Sequence, residues 1–339
     1  MTVKGAGVEA DASTVNKKDT GAAFATGAGT VITMNKATKE TTPNIQITGT
    51  KLKDADRYVG FGLMAQNGGI INAKNNYIKV ANGSTAVASV GSNANVDMTG
   101  GTVEYKGNGY ALYAANGGSI NMTNAKLILD GNAVGYEKVF GAPFKITTGG
   151  MSIHVKSNGV TIMNIRNANT PLNLSTLATT LNSWAGLSTT PTYDVGAANY
   201  KMAAIDGLSA YNIDTDLDKS IATDDANSST NDYVFTRRMA VQRGIINLKP
   251  GKNVKAVLST ADLSKIGDAS VVGLSMNSSS YATSNAEAGI NLEANTTVTA
   301  DRTTTGNGAV GLYMNYGKIN TDASSIINVE KETSNSAND

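Results

Sequence analysis

"GYALYAANGGSINM", residues 109–122, decides how this chain folds. An apolar run leads into Asn-Gly-Gly and then into Ile-Asn. Nearly the same wording stands at residues 60–73, "GFGLMAQNGGIINA", and at residues 309–322, "AVGLYMNYGKINTD". None of the three stretches carries a residue suited to catalysis. Asn and Gly tolerate left-handed backbone, so each stretch reads as strand, corner, strand.

Working outward, the apolar residue before Asn or Asp serves as an anchor. The copies are Ile71-Asn72, Val96-Asp97, Ile120-Asn121, Ile246-Asn247, Ile290-Asn291 and Ile319-Asn320. The first three lie 25 and 24 residues apart and the last two 29 apart. A second apolar residue follows seven or eight positions later: Ile78, Val103, Leu127, Val254, Val298 and Ile326. Ile153 with Val160 reads as a seventh member that lacks the Asn. Around the anchors apolar and polar residues alternate, as in "SINMTNAKLIL" and "NVDMTGGTVEY", and a period of two means strand.

A unit of about 24 residues with three short strands is one coil of a parallel β-helix, stacked on the next at about 4.8 Å. The expected fold class is therefore all-β, a parallel β-helix. Its inward Ile, Leu, Val and Met form the core. The Asn residues after the anchors are expected to hydrogen-bond from coil to coil.

The spacing breaks between residues 161 and 240. Leu174, Leu177, Leu181 and Trp184 recur at three, four and three, which predicts a short amphipathic helix, with Pro171 near its start and Gly186 near its stop. The expected organisation is coils over 1–166, a partly helical insertion over 167–239, and coils again over 240–339 with a polar tail from Ser334 to Asp339. Insertions in solenoids project from one face and often carry recognition. Trp184, Tyr193, Tyr200, Tyr211 and Arg237 are the receptor-contact candidates on that reasoning; the alternative for Trp184 is that it docks the helix onto the coils.

Composition narrows the chemistry. The chain of 339 residues has 28 Lys plus Arg against 27 Asp plus Glu, a net charge of +1, and 36 Gly. Nucleic acid and anionic membrane surfaces call for a clustered basic face, which this balance does not suggest. With no cysteine and a single histidine, His154, neither a thiolate site nor a three-ligand zinc site can be built conventionally. His154 alternates with Ile153 and Val155 and is expected on an outward strand face. Asp214, Asp216, Asp218 and Asp225 partly match a calcium loop, but Lys219 stands where the sharp turn wants Gly, and Asp225 where a Glu is usual; the alternative is a solvated acidic loop. No P-loop and no nucleophile-elbow sequence is present, so no cofactor, no metal and no catalysis are expected. A polysaccharide-active β-helix would need carboxylates gathered on one face; Asp97, Glu104 and Asp130 are the possible members.

The repeated "GYALYAANGGSIN" and "GAVGLYMNYGKIN" units resemble the passenger domains of type V autotransporters, in particular the very large fusobacterial outer-membrane adhesins. The units cover about three quarters of the chain. The resemblance implies a right-handed β-helix displayed on the surface of a Gram-negative cell, secreted through a C-terminal membrane barrel, and binding host cells or other bacteria through protein or glycan receptors. No signal peptide and no barrel strands are visible, so the chain reads as a passenger fragment. Its expected role is attachment, with two alternatives: a stalk that spaces a distal tip from the membrane, or a polysaccharide-active enzyme. Open coil ends are expected to make it self-associate. The resemblance carries over no individual site residue.

Overall fold

Turns of Asn and Gly separate short apolar and alternating runs in this sequence, and each run is a short strand. The computed structural model describes residues 2–4, 21–51, 58–139, 145–157, 159–166, 171–176, 192–195, 201–206, 210–220, 239–241, 244–259, 271–277, 288–305, 308–315 and 317–331. Among them almost every regular element is a strand, joined by one 3-10 turn at Leu174–Thr176. Two compact units are present: Met1–Ile165 with Leu181–Tyr200, and Arg166–Thr180 with Lys201–Asp339.

Unit 1 has three walls. Wall A stacks β1 (Thr2–Lys4), β4 (Ile45–Thr48), β9 (Tyr77–Ala81), β12 (Thr102–Gly107), β15 (Lys126–Gly131), β18 (Ser152–Val155) and β21 (Thr192–Val195). Wall B stacks β2 (Gly21–Thr26), β7 (Phe61–Gln66), β10 (Thr85–Val90), β13 (Tyr110–Ala115), β16 (Val134–Val139) and β19 (Thr161–Arg166). Wall C stacks β3 (Val31–Thr33), β8 (Ile70–Asn72), β11 (Asn95–Asp97), β14 (Ser119–Asn121) and β17 (Ile146–Thr147). The chain visits B, C and A in turn, and every pairing given within these walls is parallel. Apart from the walls, β5 (Thr50–Lys51) pairs antiparallel with β6 (Tyr58–Val59).

Unit 2 repeats the plan. One wall stacks β20 (Leu172–Asn173), β23 (Tyr211–Ile213), β26 (Gly244–Leu248), β29 (Ala288–Leu292) and β32 (Lys318–Thr321). A second stacks β24 (Leu217–Ser220), β27 (Asn253–Leu258), β30 (Thr297–Arg302) and β33 (Ile326–Lys331). Parallel pairs β22 (Lys201–Asp206) with β25 (Met239–Val241), and β28 (Val271–Asn277) with β31 (Ala309–Asn315), complete the turns. The fold is a parallel β-helix, as the repeat predicts.

The anchors stack in register. Ile71, Val96 and Ile120 are Cα partners along wall C, and Ile246, Ile290 and Ile319 along the first wall of unit 2. Ile78, Val103 and Leu127 form the matching row in wall A. The stacked interior is mostly apolar, and each fully buried Ile or Leu contributes about 1.5–3 kcal/mol.

Three expectations are corrected. Ile153 is not an anchor: it pairs with Leu127, and the anchor of that coil is Ile146, which pairs with Ile120. Thr147 replaces the Asn there and hides the copy. The residue stacked on Val298 is Ile327, with Ile326 one place earlier beside Thr297. The described strands of residues 167–239 are coil strands: β21 joins wall A, and β20, β22, β23, β24 and β25 pair within unit 2. Of the predicted helical stripe Leu174 opens the 3-10 turn, while Leu177, Leu181 and Trp184 lie outside the described residues, as does the polar tail.

One corner row explains the Asn/Gly bias. Asn75, Gly100, Asn124 and Gly150 in unit 1, and Gly251 and Asn295 in unit 2, all have φ between 55° and 71°. Only Gly and Asn visit that region routinely, so the row alternates between them. Hydrogen bonds run through the corner as well, from Asn75 N to Thr99 O (3.0 Å) and from Gly100 N to Thr123 O (2.9 Å).

The predicted amide ladder runs unbroken in unit 2. Asn212 Nδ2 donates to Asn173 Oδ1 (2.7 Å), Asn247 to Asn212 (3.0 Å), Asn291 to Asn247 (2.8 Å) and Asn320 to Asn291 (2.8 Å). In unit 1 the same row reads Thr33, Asn72, Asp97, Asn121, Thr147, and the carboxylate interrupts it. Asp97 Oδ1 instead accepts from Thr99 N and Oγ1, and Asn121 Nδ2 reaches Thr99 Oγ1 at 3.0 Å.

Candidate recognition surface

Of the predicted contact residues, Tyr193 and Tyr211 lie among the described residues. Tyr211 is fully buried in β23, stacked on Leu172 and Ile246, so its ring is core and offers no face to a receptor. Burial, aided by the Asp214 charge, drives its phenol well above the usual range. Tyr193 sits in β21 in register with the buried Ile153. Trp184, Tyr200 and Arg237 lie outside the described residues.

Two of the calcium-like aspartates, Asp214 and Asp216, bond to neighbouring coils. Asp214 accepts from Ser175 N at 2.9 Å and from Ser175 Oγ. Burial raises its carboxyl, but those bonds and Lys252 outweigh this and hold it below the usual range. Asp216 accepts from Asn253 N at 2.9 Å. Asp214 therefore points one coil back and Asp216 one coil forward. Asp218 pairs in register with Lys255, and Asp225 lies outside the described residues. Among the described residues no three His, Cys, Asp or Glu gather as a metal group.

The three carboxylates considered for polysaccharide chemistry are each matched to lysine. Asp97 meets Lys74 at 3.4 Å and Asp130 meets Lys106 at 3.4 Å. Glu104, only 5% exposed, meets Lys79 at 3.3 Å and Lys156 at 3.1 Å, and accepts from Tyr77 Oη at 2.5 Å. Desolvation alone would raise Glu104; the bonds from Tyr77, Lys156 and Lys79 overcome it and lower the pKa. His154 lies half-buried on the same outer face, in register with Ile128. This row ties coils together, with Lys156 reaching across two of them.

The surface with an unmet apolar character is the outer face of wall B. Phe24 of β2 stands in register with Met64 of β7, which is followed by Ala88 of β10 and Tyr113 of β13. A second row holds Phe61, Thr85 and Tyr110. Phe24 and Phe61 form one tilted ring pair, with centroids 6.1 Å apart, and Tyr110 and Tyr113 another at 5.6 Å. Between the pairs lies a buried floor of Thr85 and Ala88. Phe24 is 47% exposed, and Phe61, Met64, Tyr110 and Tyr113 are half-buried. At one edge Tyr110 Oη donates to Glu137 Oε2 (2.7 Å) and Asn164 Nδ2 donates to the same oxygen (2.9 Å). Two aromatic ridges, a small-residue floor and an oriented carboxylate can stack on a ring or aliphatic face and accept its hydrogen bonds.

Sequence reasoning passed over this strip because "GFGLMA" and "GYALYA" read as uniform apolar runs. The signal was the three-residue spacing of Phe61 to Met64 and of Tyr110 to Tyr113. Gly62 and Leu63, like Ala111 and Leu112, are both buried, so strict alternation fails there and the flanking residues turn outward together. A side chain at Gly62 would meet Ala86 O at 2.4 Å, which keeps that station small. No family model, no curated protein and no solved structure matches the chain.

Proposed function

We propose that this chain is a segment of a cell-surface adhesin, exposed outside a Gram-negative cell, that attaches to host cells or other bacteria without catalysis. The observation that carries the reading is the aromatic strip on wall B: a contiguous apolar outer surface on a rigid stack is a contact surface in waiting. The resemblance of the repeat units to autotransporter passengers supports the cellular setting, and their adhesins' receptors set the ligand classes, protein or glycan.

The test is binding of the labelled chain to epithelial cells and to other bacteria, compared with a Phe24→Ser, Tyr113→Ser variant. Aromatic anchors at contact centres are worth about 2 kcal/mol or more each. The variant is expected to bind at least about tenfold more weakly with an unchanged circular dichroism spectrum. Equal binding by both would remove the strip from the reading. One observation favours a second reading, a stalk: the described strands of residues 167–239 continue the coils instead of projecting as decoration. No binding by the parent chain, with both proteins folded, would select it.

A further inference from the structure

Six asparagines of this sequence precede a glycine: Asn67, Asn82, Asn108, Asn116, Asn158 and Asn307. The first four lie among the described residues. An Asn-Gly pair can cyclise, because glycine leaves its own amide nitrogen unshielded, but only where the backbone brings that nitrogen round to the Asn side chain. Asn67, Asn82 and Asn116 have φ of 49°, 53° and 51°. The ψ allowed at such angles, about +30 to +60°, turns the following nitrogen anti to the residue's own Cβ. Ring closure there needs the corner to break. Asn67 N donates to Val90 O (3.0 Å), Asn82 N to Lys106 O (2.8 Å) and Gly118 N to Ala115 O (2.9 Å), and these bonds hold the corners shut. Asn108 stands apart. Ala81 pairs with Lys106 and Gly107 with Gly131, so the positive-φ station that Asn82 fills passes to Gly107 and Gly131 in the next two coils. Asn108 follows one place later at negative φ, exposed at the corner from β12 to β13. Every region allowed at negative φ brings the next nitrogen nearer to the side chain than the left-handed region does. One contact restrains it. Gly109 N donates to Tyr105 Oη at 2.8 Å, and the fully buried Tyr105 donates in turn to Gly83 O at 2.5 Å.

We infer that Asn108 is a site of spontaneous deamidation in the folded chain, gated by Tyr105. The Gly109 amide gives its proton to hydroxide, leaves the Tyr105 hydroxyl, and attacks Cγ of Asn108. An N–Cγ bond forms, the Cγ–Nδ2 bond breaks, and Nδ2 takes up a proton and leaves as ammonia. Water then opens the succinimide at either carbonyl, giving an aspartate at position 108 or its iso-linked isomer. The aspartate fits: Asn132 Nδ2 already donates to Asn108 Oδ1 at 3.2 Å, and a carboxylate accepts that bond more strongly. The iso-linked product adds a methylene to the main chain beside Gly109, where a Cβ alone would meet Ser84 O at 2.3 Å, so it strains the stack. Either product removes the formal net charge of +1.

The test incubates the full chain in mildly alkaline buffer, folded and in concentrated urea, and follows each Asn-Gly peptide by mass spectrometry. In urea the four described pairs should convert at similar rates. In the folded chain Asn108 should convert at least about tenfold faster than Asn67, Asn82 and Asn116, whose corners must first give up their hydrogen bonds. Tyr105→Phe removes the acceptor of Gly109 N. It should speed Asn108 about two- to tenfold and leave Asn67 and Asn116 unchanged. Were that variant to unfold, Asn67 and Asn116 would speed up with it, and the ranking of the four sites in the parent would still decide. Conversion of Asn108 no faster than that of the three left-handed sites would overturn the inference. So would the same ranking in urea, which would trace it to sequence alone, or a folded Tyr105→Phe chain that converts at the parent's rate.

Discussion

The third residue of Asn116-Gly117-Gly118 shows what a single position must satisfy in this fold. Asn116 and Gly117 both have positive φ, which turns the corner. Gly118 is needed for a different reason: a Cβ built there would lie 2.2 Å from Ser89 O of the preceding coil. Gly69 repeats the constraint, with Ala25 O at 2.3 Å. The coil between them carries Ala94 at the equivalent place, beyond a corner built differently from Gly91 and Asn93. Gly118→Ala should therefore push apart two coils whose backbones are hydrogen-bonded on both sides. Overpacking of this kind costs about 1–3 kcal/mol. Thermal unfolding of the variant should start several degrees below that of the parent; an unchanged midpoint would mean that the corner can rearrange as it does at Ala94.

At the scale of the strand, the outer face of wall A ties three coils together through one carboxylate, two of them adjacent and the third one intervening coil further on. Glu104 of β12 collects Tyr77 and Lys79 from β9, and Lys156 from beyond β18. Burial works against the charged form, yet the three donors prevail and the pKa falls below its ordinary value of 4.5. A lowered folded-state pKa means that the stabilisation is complete above the unfolded carboxyl range and disappears as pH falls through the folded value. Glu104→Gln should remove that dependence. At neutral pH it should cost about 1.5–3 kcal/mol, the worth of hydrogen bonds to a charged group. Below the folded pKa the two proteins should converge. Denaturant titrations at neutral and at strongly acid pH test this, and parallel curves with a constant offset would contradict it. The elements that make this row were readable in the sequence because strand and corner are local: alternation marks β11, β12, β14 and β15, and the anchors Val96 and Ile120 fall in register as read. What defeated the reading was unequal chain length between stacked partners. Ile153 and Tyr193 are neighbours 40 residues apart, and Ile246 and Ile290 44 apart, although Val96 and Ile120 are separated by 24. A search for constant spacing therefore took the stretch from 167 to 239 for foreign material. The aromatic strip escaped for a related reason, since which residues of "GFGLMA" face outward depends on the crowding at Gly62, and that crowding comes from the next coil.

At the scale of the molecule, stability in a stacked solenoid is local. Each coil meets its two neighbours, and every register pairing within a unit joins successive coils, so loss of packing in one coil has no direct route to a distant one. Leu127 makes the case testable. It is fully buried, with Val103 on one side and Ile153 on the other, and all three belong to unit 1. Leu127→Ala should cost about 2–5 kcal/mol by removing buried atoms and leaving a cavity. In a single cooperative core that cost would be spread over every amide. In a stack it should appear as faster hydrogen exchange in β12, β15 and β18, fading with distance, while β27 and β30 of unit 2 keep the protection of the parent chain. Exchange mass spectrometry separates the two outcomes. Uniform acceleration in both units would show that they unfold together, and the nearest-neighbour account of this chain would have to be given up.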